Sequence, residues 1–299
     1  MNVCSKPLVT VLVTSYNHQE FVAECIYSVI RQTYENIELI VIDDGSTDKS
    51  KSVIEEILEK HQFTFIPQEN QGLAAVLNKG LSLGKGEYFV SIGSDDACML
   101  DRIEKQVEFM ESREDIAVCA GNCLVVDEQS FPEKKQSFNK PRELTFDNIY
   151  LHDKAGIKAP TAMCRADVMR QVGGYNPKIK LEDIYMWLKI TNAGYGVYVL
   201  GDVLAFYRKH SGNQSKDMRF MADSLEAIYG EYSEHPQYKS MIKKLLTNLF
   251  AKSVRRGYPN SINLFKRIRL GQYNLKLMLS LALWLIKFPF VRLKLNPIN

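Results

Sequence analysis

Ile37-Glu38-Leu39-Ile40-Val41-Ile42-Asp43-Asp44-Gly45-Ser46-Thr47-Asp48 is the stretch that decides the fold of this chain. Its apolar, β-branched first half predicts a buried strand, and a Gly-Ser turn follows. Two adjacent carboxylates, Asp43-Asp44, stand where that strand ends. A second apolar run, Tyr88 to Ile92, is followed in the same way by Asp95-Asp96. Open α/β sheets bind ligands at the carboxyl ends of their strands, so these acids mark a candidate site.

Strand and helix patterns alternate on both sides of this stretch. Strands are predicted over residues 8–13, 37–42, 63–66, 88–92 and 116–120, with helices over 21–30, 47–58, 73–83 and 102–111. This alternation predicts βαβ units and an α/β fold with a mostly parallel central sheet. Paired acids repel each other, so both strand ends need a cation or hydrogen-bond donors nearby. A nucleoside diphosphate with a divalent metal supplies both.

The second half of the chain is less regular. Residues 128–142 are polar and contain two prolines, which predicts an exposed loop or flap. A helix is predicted over 181–193, opening with Glu182-Asp183, and a strand over 196–207. Helical patterns dominate beyond Met218, so we predict one domain over 1–217 and a helical region over 218–299.

The bulk composition is that of an ordinary globular protein. The 299 residues are 45% hydrophobic and 24% charged, which is enough apolar surface for a core. The six cysteines are scattered without zinc-like spacing, which predicts buried thiols in a reducing compartment. Residues 1–7 lack the pattern of a signal peptide, so a cytoplasmic location is expected.

Charge is distributed unevenly along the chain. Residues 235–299 contain thirteen Lys or Arg and no Asp or Glu, whereas the first 234 residues have a net charge of −10. A basic region of this kind favours an anionic surface as its partner. It includes the apolar run Leu277 to Ile286, which is ten residues long and therefore too short for a simple membrane span of about 20.

The flanking cations Lys276, Lys287, Arg292 and Lys294 make a helix lying in the membrane interface the favoured interpretation of this run. The alternative is a helix that packs on the acidic part of the protein. No nucleic-acid-binding motif accompanies the basic residues, so no nucleic-acid partner is predicted.

Several short motifs follow predicted strands, and each has an ordinary structural explanation when taken alone. Thr14-Ser15-Tyr16-Asn17 and the turn after Asp44 could simply cap the helices that follow. Taken in order with Glu69-Asn70-Gln71-Gly72 and Ser94-Asp95-Asp96, they resemble the signature of glycosyltransferase family 2. That resemblance implies the GT-A fold and transfer of a sugar from a nucleotide-sugar donor with inversion at the anomeric carbon.

The resemblance assigns donor contacts to the first motifs. Thr14 and Tyr16 would line the base pocket, with Tyr16 as the aromatic contact, and Asp44 would accept the imide N–H of uracil. Gly72 would let the backbone approach the diphosphate and the sugar, although a glycine at the turn before a helix explains it equally well.

The resemblance places a metal site at the fourth strand. The family motif Asp-x-Asp-Asp is replaced here by Gly93-Ser94-Asp95-Asp96, so its first acid is absent. Asp95 would bind Mg²⁺ or Mn²⁺, which prefer oxygen ligands. Asp96 would support it or face the donor sugar, and Ser94 is grouped with the donor-binding residues.

Two later segments complete the predicted site. Glu182-Asp183 resembles the family's acidic helix start, with Asp183 as the general base for the acceptor hydroxyl and Glu182 in the donor site. Acidic residues also simply favour a helix N-terminus. Tyr207 to Ser215 resembles the segment after the last core strand, with His210 on the metal or diphosphate and Arg208 or Lys209 on phosphate. The histidines His18, His61, His152 and His235 lie in no comparable motif.

Together these features predict an inverting glycosyltransferase with a UDP-sugar donor and a lipid-linked glycan acceptor. The expected setting is synthesis of O-antigen, capsule or a related surface polysaccharide, with the enzyme peripheral on the cytoplasmic face of the membrane. A metal-dependent nucleotidyltransferase and a non-catalytic scaffold that binds nucleotide sugars are the alternatives. Oligomeric state is left open.

Overall fold

A computed structural model describes residues 6–154, 156–179, 181–210, 218–258, 261–268 and 275–288. The chain divides into two compact units, residues 1–178 with 182–211, and residues 179–181 with 212–299. The predicted domain boundary between 217 and 218 falls at the edge of a stretch outside the described residues, as does the end of the Tyr207–Ser215 segment. The division into domains at 1–217 and 218–299 therefore stays a prediction.

A nine-stranded sheet forms the centre of the first unit, within the described residues. Its strands are β1 Val9–Ser15, β2 Ile37–Asp44, β3 Thr64–Gln68, β4 Tyr88–Gly93, β5 Ala97–Cys98, β6 Ile116–Val126, β7 Arg142–Leu144, β8 Met163–Arg165 and β9 Gly196–Arg208. Their order is β3-β2-β1-β4-β8-β6-β9-β5, and β7 also pairs with β9. The six longer strands run in one direction, and only the short β5, β7 and β8 are antiparallel to their neighbours. The predicted α/β fold with a mostly parallel sheet is confirmed.

Helices cover both faces of the sheet. They are α1 Val22–Ile30, α2 Ser50–Leu58, α3 Leu73–Leu83, α4 Arg102–Glu111, α5 Phe146–Tyr150, α6 Ala166–Gln171 and α7 Glu182–Asn192. One buried apolar cluster joins α1, α2 and α4 to one face, and a second joins α3, α6 and α7 to the other. Because both faces are buried, β1 and β2 are apolar almost throughout rather than alternating with polar residues.

Strand register brings the predicted motifs to one edge of the sheet. Ser15 of β1 is paired with Asp43 of β2, and Thr14 is paired with Gly93 of β4. The three strands are parallel, so their carboxyl ends lie side by side. The residues after Ser15, Asp43 and Gly93 therefore converge although they are far apart in sequence.

Some elements differ from the sequence-based expectation. Helix α2 begins at Ser50 instead of Thr47, because the Asp48 carboxylate accepts hydrogen bonds from the backbone of Gln19 and Ser50 and keeps this segment in a loop. Strands β7 and β8 have only three residues each, too few for a recognisable pattern. The polar segment 128–142 is largely irregular, as predicted, and ends where β7 begins at Arg142.

The second unit is helical. It contains α8 Met218–Gly230, α9 Tyr238–Arg255, α10 Ile262–Arg267 and α11 Leu275–Lys287, and the first, third and fourth of these contact α9. Leu277 and Trp284 form the buried face of α11. In the part of the chain that the structure describes, no helix has both the length and the apolar character to cross a bilayer. Arg292 and Lys294 lie outside the described residues.

Candidate active site

Asp44 organises one side of the site through its side-chain oxygens. The carboxylate is buried, and its Oδ1 accepts hydrogen bonds from Gln68 Nε2 at 2.8 Å and from the backbone N–H of Gln71 at 2.9 Å. Its Oδ2 accepts the Gly72 N–H at 2.8 Å. A carboxylate has about four lone-pair sites, so these three bonds leave room for one further donor.

Gly72 directly precedes α3 and has a φ of 84°, a conformation that favours glycine. A Cβ at this position would meet nothing within 4 Å, so space is left in front of the Gly72 backbone. The structure therefore combines the start of a helix with an open backbone, and both explanations of this glycine fit it.

The motif after β1 is held against the loop after β2. The Asn17 side chain accepts a hydrogen bond from the Thr47 N–H at 2.8 Å, and the Asn17 N–H donates to Ser46 Oγ at 2.8 Å. Thr14 is partly buried at the strand end, whereas the Tyr16 ring is 48% exposed beside it. An exposed aromatic ring next to the Asp44 loop is suited to stacking on a planar base.

The carboxylate of Asp95 lies over Gly93. A Cβ on Gly93 would come within 2.6 Å of Asp95 Oδ1, and the other oxygen, Oδ2, is 3.0 Å from His210 Nε2. A side chain at residue 93 would therefore require the Asp95 carboxylate to shift from this position.

Asp96 has a different environment from Asp95. It is buried, and its Oδ1 accepts the backbone N–H of Arg208 at 2.8 Å. Burial, and then the neighbouring Asp95, raise the pKa of Asp96 well above its usual value. The two predicted roles of Asp96 are to support Asp95 or to face the donor sugar. These contacts fit the first role, and they also hold the end of β9.

His18 is a site residue that sequence reasoning missed. It lies beside Asp95 and His210, and one ligand atom from each of the three residues lies within 4.8 Å of the others. The His18 ring nitrogen Nδ1 is 2.9 Å from the hydroxyl of Ser94, which is fully buried. The only signal in the sequence was its position directly after the Thr14–Asn17 motif, at the end of the strand that pairs with β4.

This cluster fits a divalent cation. A carboxylate and two imidazoles are common metal ligands, and the three side chains are partly buried rather than dispersed in solvent. Burial lowers the pKa of His18, against an opposing effect of Asp95, so that its imidazole is neutral near pH 7 and keeps a lone pair.

Arg208 lies where its guanidinium already has protein partners. The side chain is 1% exposed, and it donates to Asp95 O at 2.8 Å, to Ser130 Oγ at 2.8 Å and to Glu24 Oε2 at 2.7 Å. It also stacks on the Phe21 ring. The guanidinium of Arg208 is thus held behind Asp95 by protein partners, and its predicted contact with a phosphate stays a prediction.

Its neighbour Lys209 points elsewhere. The Lys209 ammonium forms an exposed ion pair with Glu133 at 2.7 Å, in the polar segment between β6 and β7. Within this motif, His210 is the residue whose side chain joins Asp95 and His18 in the candidate metal-binding group.

Glu182 and Asp183 form the first turn of α7. Burial, together with the adjacent Asp183, raises the pKa of Glu182 to about 8, and burial also raises the pKa of Asp183. Asp183 Oδ1 accepts the N–H of Ile184 at 2.7 Å. Burial opposes the negative charge of these two acids, so they accept a proton more readily than acids at a solvent-exposed helix end.

Tyr175 connects this pair to the sheet. Burial raises the pKa of Tyr175, the carboxylates of Glu182 and Asp183 add to the increase, and a hydrogen bond with Ser91 of β4 opposes it. Ser91 is two residues before Gly93 on the same strand face, so the acidic pair is near the strand that ends just before Asp95.

Two similar proteins are named as glycosyltransferases. TuaG of Bacillus subtilis, named as a teichuronic acid biosynthesis glycosyltransferase, is 29% identical over 229 residues, which are 76% of this chain and 88% of TuaG. WfaP of Escherichia coli, named as a UDP-Glc:α-D-GlcNAc-diphosphoundecaprenol β-1,3-glucosyltransferase, is 28% identical over 228 residues, 74% of this chain and 86% of WfaP.

Solved structures share the fold at low sequence identity. Staphylococcus aureus TarS 1–349 in complex with UDP-GlcNAc matches with a TM-score of 0.66 and 18% identity over 95% of this chain and 90% of that one. The mannosyltransferase PcManGT of Pyrobaculum calidifontis, in complex with GDP-Man and Mn²⁺, matches with a TM-score of 0.61 and 17% identity over 98% and 89%.

The family model named glycosyl transferase family 2 matches residues 10–173, more than half of the chain. That range contains the β1, β2 and β4 motifs whose side chains converge at the sheet edge. The chain belongs to glycosyltransferase family 2.

Proposed function

We propose that this protein transfers a sugar from a UDP-sugar to a hydroxyl of a lipid-linked glycan, with inversion at the anomeric carbon. The observation that carries the proposal is the edge of the sheet where Asp44, Asp95 and His210 converge, together with the acid Asp183, whose pKa is raised by burial, in the first turn of α7. A nucleotide-sugar site requires these components, and a single displacement requires a base for the acceptor.

The donor base is proposed to bind between Tyr16 and Asp44. The remaining acceptor capacity of Asp44 matches the imide N–H of uracil, and Thr14 borders the same strand end. A charge-assisted hydrogen bond of this kind is worth about 1.5–3 kcal/mol. The complex of TarS with UDP-GlcNAc supports a uridine donor by fold analogy.

The diphosphate is proposed to lie at the cluster of Asp95, His210 and His18, which would hold Mg²⁺ or Mn²⁺. When bound, such an ion neutralises the charge that develops on the departing diphosphate. Asp95 supplies a carboxylate oxygen, and Arg208 holds the backbone of Asp95 from behind. The open backbone at Gly72 leaves room for the sugar or phosphate to approach.

Asp183 is proposed as the general base. Its raised pKa makes it a stronger base than an exposed aspartate, so it removes the proton of the acceptor hydroxyl as that oxygen attacks. Glu182, which is neutral at pH 7, is a hydrogen-bond donor suited to the sugar hydroxyls.

The acceptor is proposed to be a polyprenyl-diphosphate-linked saccharide of a bacterial surface polysaccharide such as O-antigen or capsule. The name of WfaP specifies a GlcNAc-diphosphoundecaprenol acceptor, and that of TuaG specifies the biosynthesis of teichuronic acid. The basic second unit supports a peripheral position on the cytoplasmic face of the membrane, where anionic lipids attract Lys and Arg.

Two alternatives make different predictions. A nucleotidyltransferase would consume a nucleoside triphosphate and a sugar phosphate, and a scaffold would bind UDP-sugar without turnover. The raised pKa of Asp183 favours a catalytic base, which a scaffold does not need.

The direct test incubates the purified protein with Mn²⁺, a panel of UDP-sugars and a synthetic polyprenyl-diphosphate-GlcNAc acceptor, and measures UDP release together with labelled sugar in the lipid fraction. At least one UDP-sugar should give equal amounts of both. Release of pyrophosphate from UTP and a sugar phosphate, or binding without any turnover over a range of acceptor lipids, would overturn the proposal.

A further inference from the structure

We propose that His18 is a third protein ligand of the metal and that the resulting set of two imidazoles and one carboxylate selects a transition-metal ion over Mg²⁺. The inference deepens the proposed function at its metal site and rests on it only for the presence of a divalent ion. The inference starts from Gly93, where the family motif has its first acid, and from the neighbouring Asp95.

The first step is the space over Gly93. A Cβ at residue 93 would lie 2.6 Å from Asp95 Oδ1, so the present position of the Asp95 carboxylate depends on the glycine. Asp95 instead turns its second oxygen toward His210 Nε2. Among the described residues, the cluster consists of one carboxylate, that of Asp95, and the imidazoles of His18 and His210.

The second step is the way in which His18 is held. Its backbone N–H donates to the buried Ser50 Oγ at 2.9 Å, and its carbonyl accepts the N–H groups of Phe21 and Val22 where α1 begins. The Ser94 hydroxyl contacts one ring nitrogen at 2.9 Å. Metal-binding histidines usually have their second ring nitrogen fixed by such a partner, which sets the ring orientation.

The third step is the relation between the two imidazoles. The rings of His18 and His210 meet edge to face with their centroids 5.4 Å apart, and both also lie near the Phe21 ring. Ring stacking alone would explain the contact between the two imidazoles, but it would not explain the nearby carboxylate. Here a ligand atom from each ring and one from Asp95 share a space 4.8 Å across.

The chemistry of this donor set determines which ion it prefers. Mg²⁺ favours oxygen ligands and retains water, whereas imidazole suits later first-row ions, whose affinity rises from Mn²⁺ to Co²⁺. Three protein ligands leave about three of six positions for diphosphate oxygens and water. We therefore expect Mn²⁺ and Co²⁺ to bind more tightly than Mg²⁺, and His18 to contribute to that preference.

The test measures metal binding and coordination without relying on turnover. Mn²⁺ is titrated into the full-length protein with UDP and followed by the EPR signal of free Mn²⁺, and pulsed EPR counts the bound imidazole nitrogens. Wild type should show two. His18→Ala should show one and bind Mn²⁺ at least about 10-fold more weakly, and the excess of Mg²⁺ needed to displace Mn²⁺ should fall.

His61→Ala is the matched control, because it removes an imidazole that contacts Tyr27 instead of the cluster. It should retain two nitrogens and wild-type affinity. A melting curve shows whether His18→Ala is folded. If it is not, His18→Gln replaces it, because the glutamine side chain can still hydrogen-bond to Ser94.

An unchanged nitrogen count and Mn²⁺ affinity in the His18 variant would overturn the inference, as would a wild-type spectrum with a single nitrogen. These outcomes are separate from the fate of the proposed function. If the wild-type protein transfers sugar but shows one coordinated nitrogen, the inference about His18 is wrong and the proposed function is unaffected. If it shows two coordinated nitrogens but transfers no sugar, the inference about His18 holds and the proposed function is wrong.

Discussion

Asp183 begins α7 beside a second carboxylate, and burial raises the pKa of both groups. At pH 7 Glu182, with a pKa of about 8, is mostly protonated, so that Asp183 does not face a full neighbouring charge. Glu182 is thus the neutral group and Asp183 the proton acceptor. Two neighbouring acids can take different roles when their environments give them different pKa values.

Asp183→Asn should reduce sugar transfer by roughly 10²–10⁴-fold, because the amide has the size of the acid but cannot take the proton. UDP affinity, measured by calorimetry, should be nearly unchanged. Glu182→Gln is the matched control: it replaces a largely neutral acid with a neutral amide and should retain most of the rate. Near wild-type transfer by Asp183→Asn would remove Asp183 from the mechanism.

The raised pKa of Asp183 also predicts a pH dependence. The base works in its deprotonated form, so kcat/KM should fall as the pH falls through the folded-state pKa, which lies above the ordinary value of 3.8. A pH–rate profile between pH 4 and 8 measures this midpoint. A rate that stays flat down to pH 4 would mean that Asp183 is not perturbed or not the base.

Arg208 is expected to contribute to the stability of the site through its contacts with the protein. Arg208→Ala should lower the free energy of unfolding by about 3 kcal/mol, since it removes a buried side chain that donates to Asp95 O, Ser130 Oγ and Glu24 Oε2. Lys209→Ala, which removes only the exposed pair with Glu133, should change it by less than about 1 kcal/mol. Urea unfolding measures both.

The contrary result for Arg208 is equally specific. A variant with wild-type stability and greatly weakened UDP binding would return Arg208 to the phosphate-binding role suggested by the sequence.

Side chains that follow strand ends could be predicted from the sequence, and those positioned by tertiary contacts could not. Asp44, Asp95 and Asp96 follow apolar runs, so their convergence at one edge is a consequence of parallel strands. His18 had no motif of its own. Its place beside Asp95 depends on the β1–β4 pairing and on the buried Ser94, which only the folded chain reveals.

At the scale of elements, helix α11 has two apolar faces with different surroundings. Leu277 and Trp284 are buried, whereas the opposite stripe is exposed, with Leu275, Met278, Leu279 and Ile286 between 59% and 75% exposed. Lys276 bonds Asn248, and Lys287 bonds backbone carbonyls at the end of α9, so α11 is fixed on its polar flanks. An exposed apolar stripe with cations at its ends is suited to the membrane interface.

The double variant Met278→Glu/Leu279→Glu should therefore lose binding to vesicles that contain phosphatidylglycerol. Burial of each such side chain is worth about 1.5–3 kcal/mol, so vesicle partition should fall at least tenfold in a sedimentation assay. Lys51→Glu is the control, because it changes the net charge by the same amount as the double variant but at an exposed position of α2 in the first unit. It should bind the vesicles like wild type.

Equal loss in both variants would show that overall charge, and not the α11 stripe, determines membrane binding. Unchanged binding in the double variant would contradict a role for α11 in membrane contact.

Short elements limited what the sequence could predict at this scale. The long strands and the helix opened by Glu182 were visible as apolar patterns, because each contains enough residues for a period to show. Strands β7 and β8 have three residues each and owe their place to pairing with β9, and with β4 and β6, respectively. The delayed start of α2 likewise depends on Asp48 bonding to Gln19 across the loop.

At the scale of the whole molecule, the chain combines an acidic catalytic part with a basic helical part. The first 234 residues have a net charge of −10 and the remainder carries thirteen cations without an acid. The proposed position at an anionic membrane requires the basic part, because the acidic part alone would be repelled by the membrane charge. This asymmetry could be read from the sequence, whereas the exposed stripe of α11 required the structure.

The anomeric configuration of the product tests the proposed mechanism most directly, because a single displacement with Asp183 as base permits only one outcome. Proton NMR of the glycan formed from an α-linked UDP-sugar should show the new linkage in the β configuration, and Asp183→Asn should form the same linkage far more slowly. An α linkage in the product would mean retention, and with it a mechanism in which Asp183 is not the base of a single displacement.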